Sequence, residues 1–118
     1  MFGGTTRFNM FKNMVIDGRL ADSYASGINI DRGYGQSSVD HVTIVNMPQS
    51  GLLSTNSTGY YVSNSIFANN VNGVSKFAAF NGFNHSNFFG NGTDCNPNGA
   101  CAEWDSAAGP FGNINFNG

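Results

Sequence analysis

Residues 39–91 superpose on themselves at a shift of 22 residues, and that repeat restricts the chain more than any other feature of it. Val39, Tyr61 and Phe83 fall in one apolar column, Ile44, Ile66 and Phe88 in a second, and Val45, Phe67 and Phe89 in a third. Gly51 aligns with Gly73, Leu52 with Val74, and Asn69 with Asn91, so the turn chemistry recurs with the apolar pattern. A unit this short cannot enclose a core of its own, and stacking units on one another is the way to bury its apolar side. Each unit holds short β-prone runs (residues 42–45, 51–53, 59–62 and 65–67) separated by Asn, Ser and Gly. Helix is disfavoured, because no stretch sustains a 3.6-residue period without meeting Gly, Asn or a β-branched residue.

Strands of three to five residues become stable when each pairs in parallel with its equivalent one unit away, about 4.8 Å along a common axis. The expected fold is therefore all-β: a right-handed parallel β-helix, or solenoid, of about four coils with a roughly 22-residue repeat. Neighbouring residues of a strand face opposite sides. The Ile44, Ile66, Phe88 column is assigned to the core, which leaves Val45, Phe67 and Phe89 as an exterior ladder; a bulge that turns both columns inward is the alternative. Phe11 precedes Val45 by 34 residues, so one coil plus about 12 extra residues separates them, and an inserted loop is expected within residues 17–40. The domain reading is coils over residues 1–94 and a loop cap over residues 95–118, with Trp104 and Phe111 folding back over the last coil.

Val42-Thr-Ile-Val-Asn46, Ser65-Ile-Phe-Ala-Asn69 and Asn87-Phe-Phe-Gly-Asn91, each followed by glycine, resemble the right-handed parallel β-helix repeats of the pectate-lyase-like superfamily. The likeness covers about residues 39–92. Gly112-Asn-Ile-Asn-Phe116 is similar to the terminal Gly-Asn-Ile stretch of such proteins, and Asn117-Gly118 stands where Asp-Pro follows in them, which implies a C-terminal fragment. The superfamily holds lyases, glycoside hydrolases, epimerases, adhesins and phage tail proteins, so the resemblance implies fold and leaves function open.

Composition narrows the partners. Charged residues make up 10% of the chain and the net charge is -2, so neutral polar groups carry solubility. The basic residues Arg7, Lys12, Arg19, Arg32 and Lys76 are scattered, which argues against nucleic acid and anionic membrane surfaces. No window reaches the roughly 18 apolar residues of a membrane span, and an export signal is absent from this sequence. Cys95 and Cys101 enclose Asn-Pro-Asn-Gly-Ala, a turn-forming stretch that suits a local disulfide worth at most about 2–3 kcal/mol. Two thiols in a reducing compartment are the alternative. A disulfide would place the chain outside the cell or on its surface. Asn69 and Asn91 are expected to hydrogen-bond along a stack of turns.

The enzymes that the chain resembles use clustered carboxylates with calcium and an arginine, or paired carboxylates, and neither set is complete here. Asp31-Arg32 and Asp40-His41 come nearest, as a carboxylate beside a base on consecutive coils. His41 and His85 share a column with Ser63 between them, too far apart for one metal. Asp94, Glu103 and Asp105 are the acidic groups that calcium would use; no other cofactor is expected. Tyr60, Phe67 and Phe89 are the candidate carbohydrate-stacking rings. The functional expectation is an extracellular segment that binds or helps to process polysaccharide, followed by a non-catalytic structural or adhesive stalk, and then by a lyase of uronic-acid polymers. End-to-end association through uncapped coil edges is expected in each case.

Overall fold

The computed structural model describes residues 9–30, 37–55, 60–76, 82–96 and 114–115. Among them the chain is all-β, without helix. The strands are β1 (Asn9–Asp17), β2 (Ser26–Ile30), β3 (Ser37–Val45), β4 (Ser50–Ser54), β5 (Tyr60–Ser63) and β6 (Ile66–Ala68). They continue with β7 (Asn72–Lys76), β8 (Gly82–Asn84), β9 (Asn87–Phe89), β10 (Thr93–Asn96) and β11 (Ile114–Asn115). A seven-stranded sheet runs β11-β9-β6-β3-β5-β8 with β1 also on β3, and a four-stranded sheet runs β10-β7-β4-β2. Every strand pairing is parallel. The chain visits the larger sheet and then the smaller four times in all before β11.

Three columns of apolar positions run from strand to strand. Phe11 pairs with Val39, Val39 with Val62 and Val62 with Phe83. Ile16 pairs with Ile44, Ile44 with Phe67 and Phe67 with Phe88. Across from them, Ile28, Leu52, Val74 and Cys95 form the column of the smaller sheet. Val39, Ile44, Leu52, Val62 and Phe67 are wholly buried. The rings of Phe67 and Phe88 lie parallel at 7° with centroids 5.1 Å apart, the offset stack expected of like residues one strand apart.

These registers correct the sequence reading by one residue. The step from Ile44 to its partner is 23 residues and the next is 21, so Phe67, not Ile66, stands in the core column, and Ile66 is half-buried on the outer side. Val62 likewise replaces Tyr61, which is 42% exposed, and Ala68 replaces Phe67 between Val45 and Phe89. A one-residue slip moves a side chain to the opposite face of a strand. The alignments Gly51 with Gly73 and Leu52 with Val74 stand as read, at a step of 22. Phe11 stacks on Val39 at a step of 28, so the excess in the first repeat is about six residues rather than 12. Cys95 lies inside β10, so the segment from residue 95 onward begins in a strand and includes β11. Trp104 and Phe111 lie outside the described residues.

Two bends shape each repeat. Asn13, His41, Asn64 and His85 have φ between 50° and 55° and occupy equivalent positions, as do Asn46, Asn69 and Gly90, at 54° to 66°. Left-handed backbone is tolerated best by Gly, and after it by Asn, Asp and His, which explains the residue types found there. Ser65 and Ser86 stand next to the first bend, buried, where the Val42 amide donates to Ser65 Oγ at 3.2 Å and the Ser65 amide to Ser86 Oγ at 3.3 Å. Their hydroxyls replace ladder bonds that the bend removes.

After the second bend comes the asparagine ladder, which is Asn70 with Asn91 rather than Asn69 with Asn91. Asn70 Oδ1 accepts from the Met47 amide at 2.9 Å, and its Nδ2 donates to Ile44 O and Asn91 Oδ1, both at 3.1 Å. Asn91 Oδ1 also accepts from the Asn70 amide at 2.9 Å, and Asn91 Nδ2 donates to Phe67 O and Asp94 Oδ1, both at 2.9 Å. Asn69 is exposed at the left-handed position. A buried side chain with one acceptor and two donors can satisfy the turn above and the turn below only if it is an amide.

Candidate functional site

Outside the core, charged and hydrogen-bonding groups gather at the two bends. The first is crossed by the outward column Lys12, Asp40 and Ser63, whose Cα atoms pair strand to strand. Asp40 is tied on both oxygens: Oδ1 accepts from Ser63 Oγ and from Asn64 Nδ2, each at 3.0 Å, and His41 Nδ1 lies 2.9 Å from Oδ2. The Asn64 amide, followed by His41 and the Ser63 hydroxyl, holds the Asp40 carboxyl down to about 2. A carboxylate so stabilised stays ionised at physiological pH and is neither an acid nor a ready base. It fastens β3 to β5 instead.

Asp40 and His41 are paired with each other, while Asp31 and Arg32, the other two catalytic candidates, lie outside the described residues. His41 and His85 share a column, with Asn64 rather than Ser63 between them.

At the second bend Asp17 gathers three donors. Asn46 Nδ2 and the Arg19 amide reach Oδ1, each at 3.1 Å, and Arg19 Nε reaches Oδ2 at 2.7 Å. Asn46 first, then Arg19, holds the Asp17 carboxyl below its ordinary value. Next to this pair opens a depression of about 480 Å³, lined among the described residues by Asp17, Arg19 and Leu20. Its volume lies within the range of small-ligand sites. The loop that carries it, residues 18–25, folds as two successive turns, closed by Ala21 N to Gly18 O at 3.0 Å and Ala25 N to Asp22 O at 2.9 Å. Arg19, Leu20, Asp22 and Tyr24 of this loop are exposed, Tyr24 to 85%. The inserted loop expected within residues 17–40 includes this segment; the signal for the bend was Asp17-Gly-Arg19, a carboxylate set two residues before a cation across a glycine.

Of the three rings nominated for carbohydrate, Phe67 is wholly buried and cannot meet a ligand; its place one residue off the expected register turns it inward. Phe89 is 39% exposed, and Tyr60 contributes backbone to β5 while its side chain lies outside the description. No group of three or more His, Cys, Asp or Glu is arranged for a metal among the described residues. Asp94 accepts the Asn91 amide, and Glu103 and Asp105, the other calcium candidates, lie outside the description. Cys95 is buried, no free cysteine is found among the described residues, and Cys101 lies outside them. No helix of the described residues is long and apolar enough to cross a membrane. No protein-family model, curated protein or solved structure matches this chain.

Proposed function

We infer that the chain contributes coils to a right-handed parallel β-helix that binds polysaccharide through its outer surface, outside the cell, without itself supplying a catalytic set. The coil reading is supported by the regular alternation between two parallel sheets and by three columns stacked in continuous register. Binding is supported chiefly by one observation: Tyr24, Tyr61 and Phe89 expose aromatic side chains on a chain of which charged residues make up only 10%. Aromatic faces beside hydroxyl and amide groups suit sugar rings, which offer apolar C–H faces and hydroxyl edges. An extracellular setting agrees with the low charge and with a Cys95–Cys101 bridge, which is carried forward as part of this proposal.

A glycan array with the intact chain tests the reading. Binding to polysaccharides above the background of an unrelated all-β protein is expected, and no binding to any glycan removes it. A non-catalytic stalk is the second reading, favoured by the engagement of Asp17 and Asp40 in bonds between repeats. A lyase would generate ultraviolet-absorbing unsaturated product with calcium present, and neither reading above expects that signal.

A further inference from the structure

We propose that the loop of residues 18–25 is a subsite for an uncharged sugar residue, with Arg19 as donor, Asp22 as acceptor and Tyr24 as stacking face; this rests on the polysaccharide reading and names its ligand class. The loop is peculiar to the first repeat. Eight residues join β1 to β2, where four join β3 to β4 and three join β6 to β7 and β9 to β10. The surplus chain carries exposed side chains and contributes no wholly buried apolar one: Leu20 is fully exposed and Tyr24 is 85% exposed. Long loops with ordered turns are where recognition groups are placed on a rigid scaffold.

Arg19 is already tethered through its Nε before a ligand arrives. Its Nε is spent on Asp17 Oδ2 at 2.7 Å, and Asp17 is itself anchored to the next repeat by Asn46. The side chain is nonetheless 76% exposed and lines the depression together with Asp17 and Leu20, which leaves its two Nη groups available as a pair of donors there. An arginine held in this way loses little further freedom on binding.

Charge selects the ligand class. Asp17, at the end of β1, and Asp22 together outnumber Arg19 around this loop, and the chain as a whole carries -2. A polymer bearing a carboxylate or sulfate on each residue would meet net repulsion there, whereas a neutral diol can accept from the guanidinium and donate to a carboxylate at once.

Affinity electrophoresis of the intact chain through gels containing a neutral glucan, a neutral mannan, polygalacturonate or alginate tests the proposal. Retardation is expected in at least one neutral gel and in neither acidic gel. Tyr24→Ala and Arg19→Ala should each weaken it roughly tenfold, and Arg19→Lys should not restore it, because an ammonium lacks the paired donors. Val71→Ser, at an exposed residue of another turn, should leave it unchanged. Unaltered neutral-glycan binding by both loop variants overturns the subsite and leaves the general reading standing. Stronger retardation by the acidic polymers overturns the ligand class. Retardation by none of the four overturns both.

Discussion

The turn that leaves the larger sheet is built in two ways in this molecule. After β6 and β9 it takes three residues, and an asparagine at its second position is buried and bonded to the preceding repeat. After β1 it takes eight, and because Asp17 pairs with Val45, the position equivalent to Asn70 and Asn91 is held by Arg19. A guanidinium carries five donors and no acceptor, so it cannot accept from the turn beneath and cannot be buried there alone. It swings out to Asp17, and the chain is released from the short path into a loop. The turn after β3 stands between the two: Met47 fills the position with a buried apolar side chain, and its backbone amide takes the last rung from Asn70. Repeat length thus follows from what occupies one buried position per turn.

Breaking the aromatic column that the short turns support should have the largest effect. Phe67→Ala removes a wholly buried ring stacked on Phe88 and is expected to cost about 3–5 kcal/mol in chemical denaturation. Ile66→Ala, one residue away on the outer side, should cost well under half as much, and equal losses would contradict the register.

Asn70→Ala orphans the buried Met47 amide and Ile44 carbonyl, an expected loss of roughly 2–4 kcal/mol. The equivalent change in the long turn, Arg19→Ala, should stay within about 0.5 kcal/mol, since that side chain is 76% exposed. A loss at Arg19 as large as that at Asn70 would dissolve the distinction between the two turns.

Gly51→Ala is next. A Cβ there would stand 2.7 Å from the Gly73 carbonyl oxygen and 2.9 Å from Phe67 Cδ1, so backbone must shift, at about 1–3 kcal/mol. Measured melting should fall accordingly.

The smallest effect expected is electrostatic. Asp40 titrates near 3.8 when unfolded and about 2 when folded, so its contribution is complete above the unfolded value and is lost as pH falls through about 2. Stability of Asp40→Asn should therefore change less than wild type between about pH 4 and pH 2. Parallel profiles would mean that the Asn64 and Ser63 bonds do not form in solution.

How much of this was legible in the sequence depended on averaging. The distance from Ile44 to Phe88 is two repeats, and steps of 23 and 21 sum to the same 44 residues as two steps of 22. The outer members of each column were therefore found and the middle one was missed by a residue. Side-chain type could not correct this, because Ile66 and Phe67, or Tyr61 and Val62, are equally β-prone neighbours. The left-handed positions held the information: Asn13, His41, Asn64 and His85 mark the first bend, and Asn46, Asn69 and Gly90 the second. Read as bends, they give the unequal steps directly. The inward ladder position then follows one residue after each second bend, at Asn70 and Asn91. The candidate site was less legible, because the pairing of Asp17 with Asn46 depends on a step of 28 residues that no repeat announced.

Paired-cysteine cross-linking across β3 and β6 tests the central claim, the 23-residue step, most directly. Thr43 and Ile66 are Cα partners on the outer side, whereas Ser65, the partner expected from a uniform step of 22, is buried beside the bend. Non-reducing peptide mapping should find a Thr43→Cys, Ile66→Cys bridge forming readily under mild oxidation and no bridge in Thr43→Cys, Ser65→Cys. A bridge in the second pair and none in the first would contradict the register, and with it the core column of Ile44, Phe67 and Phe88.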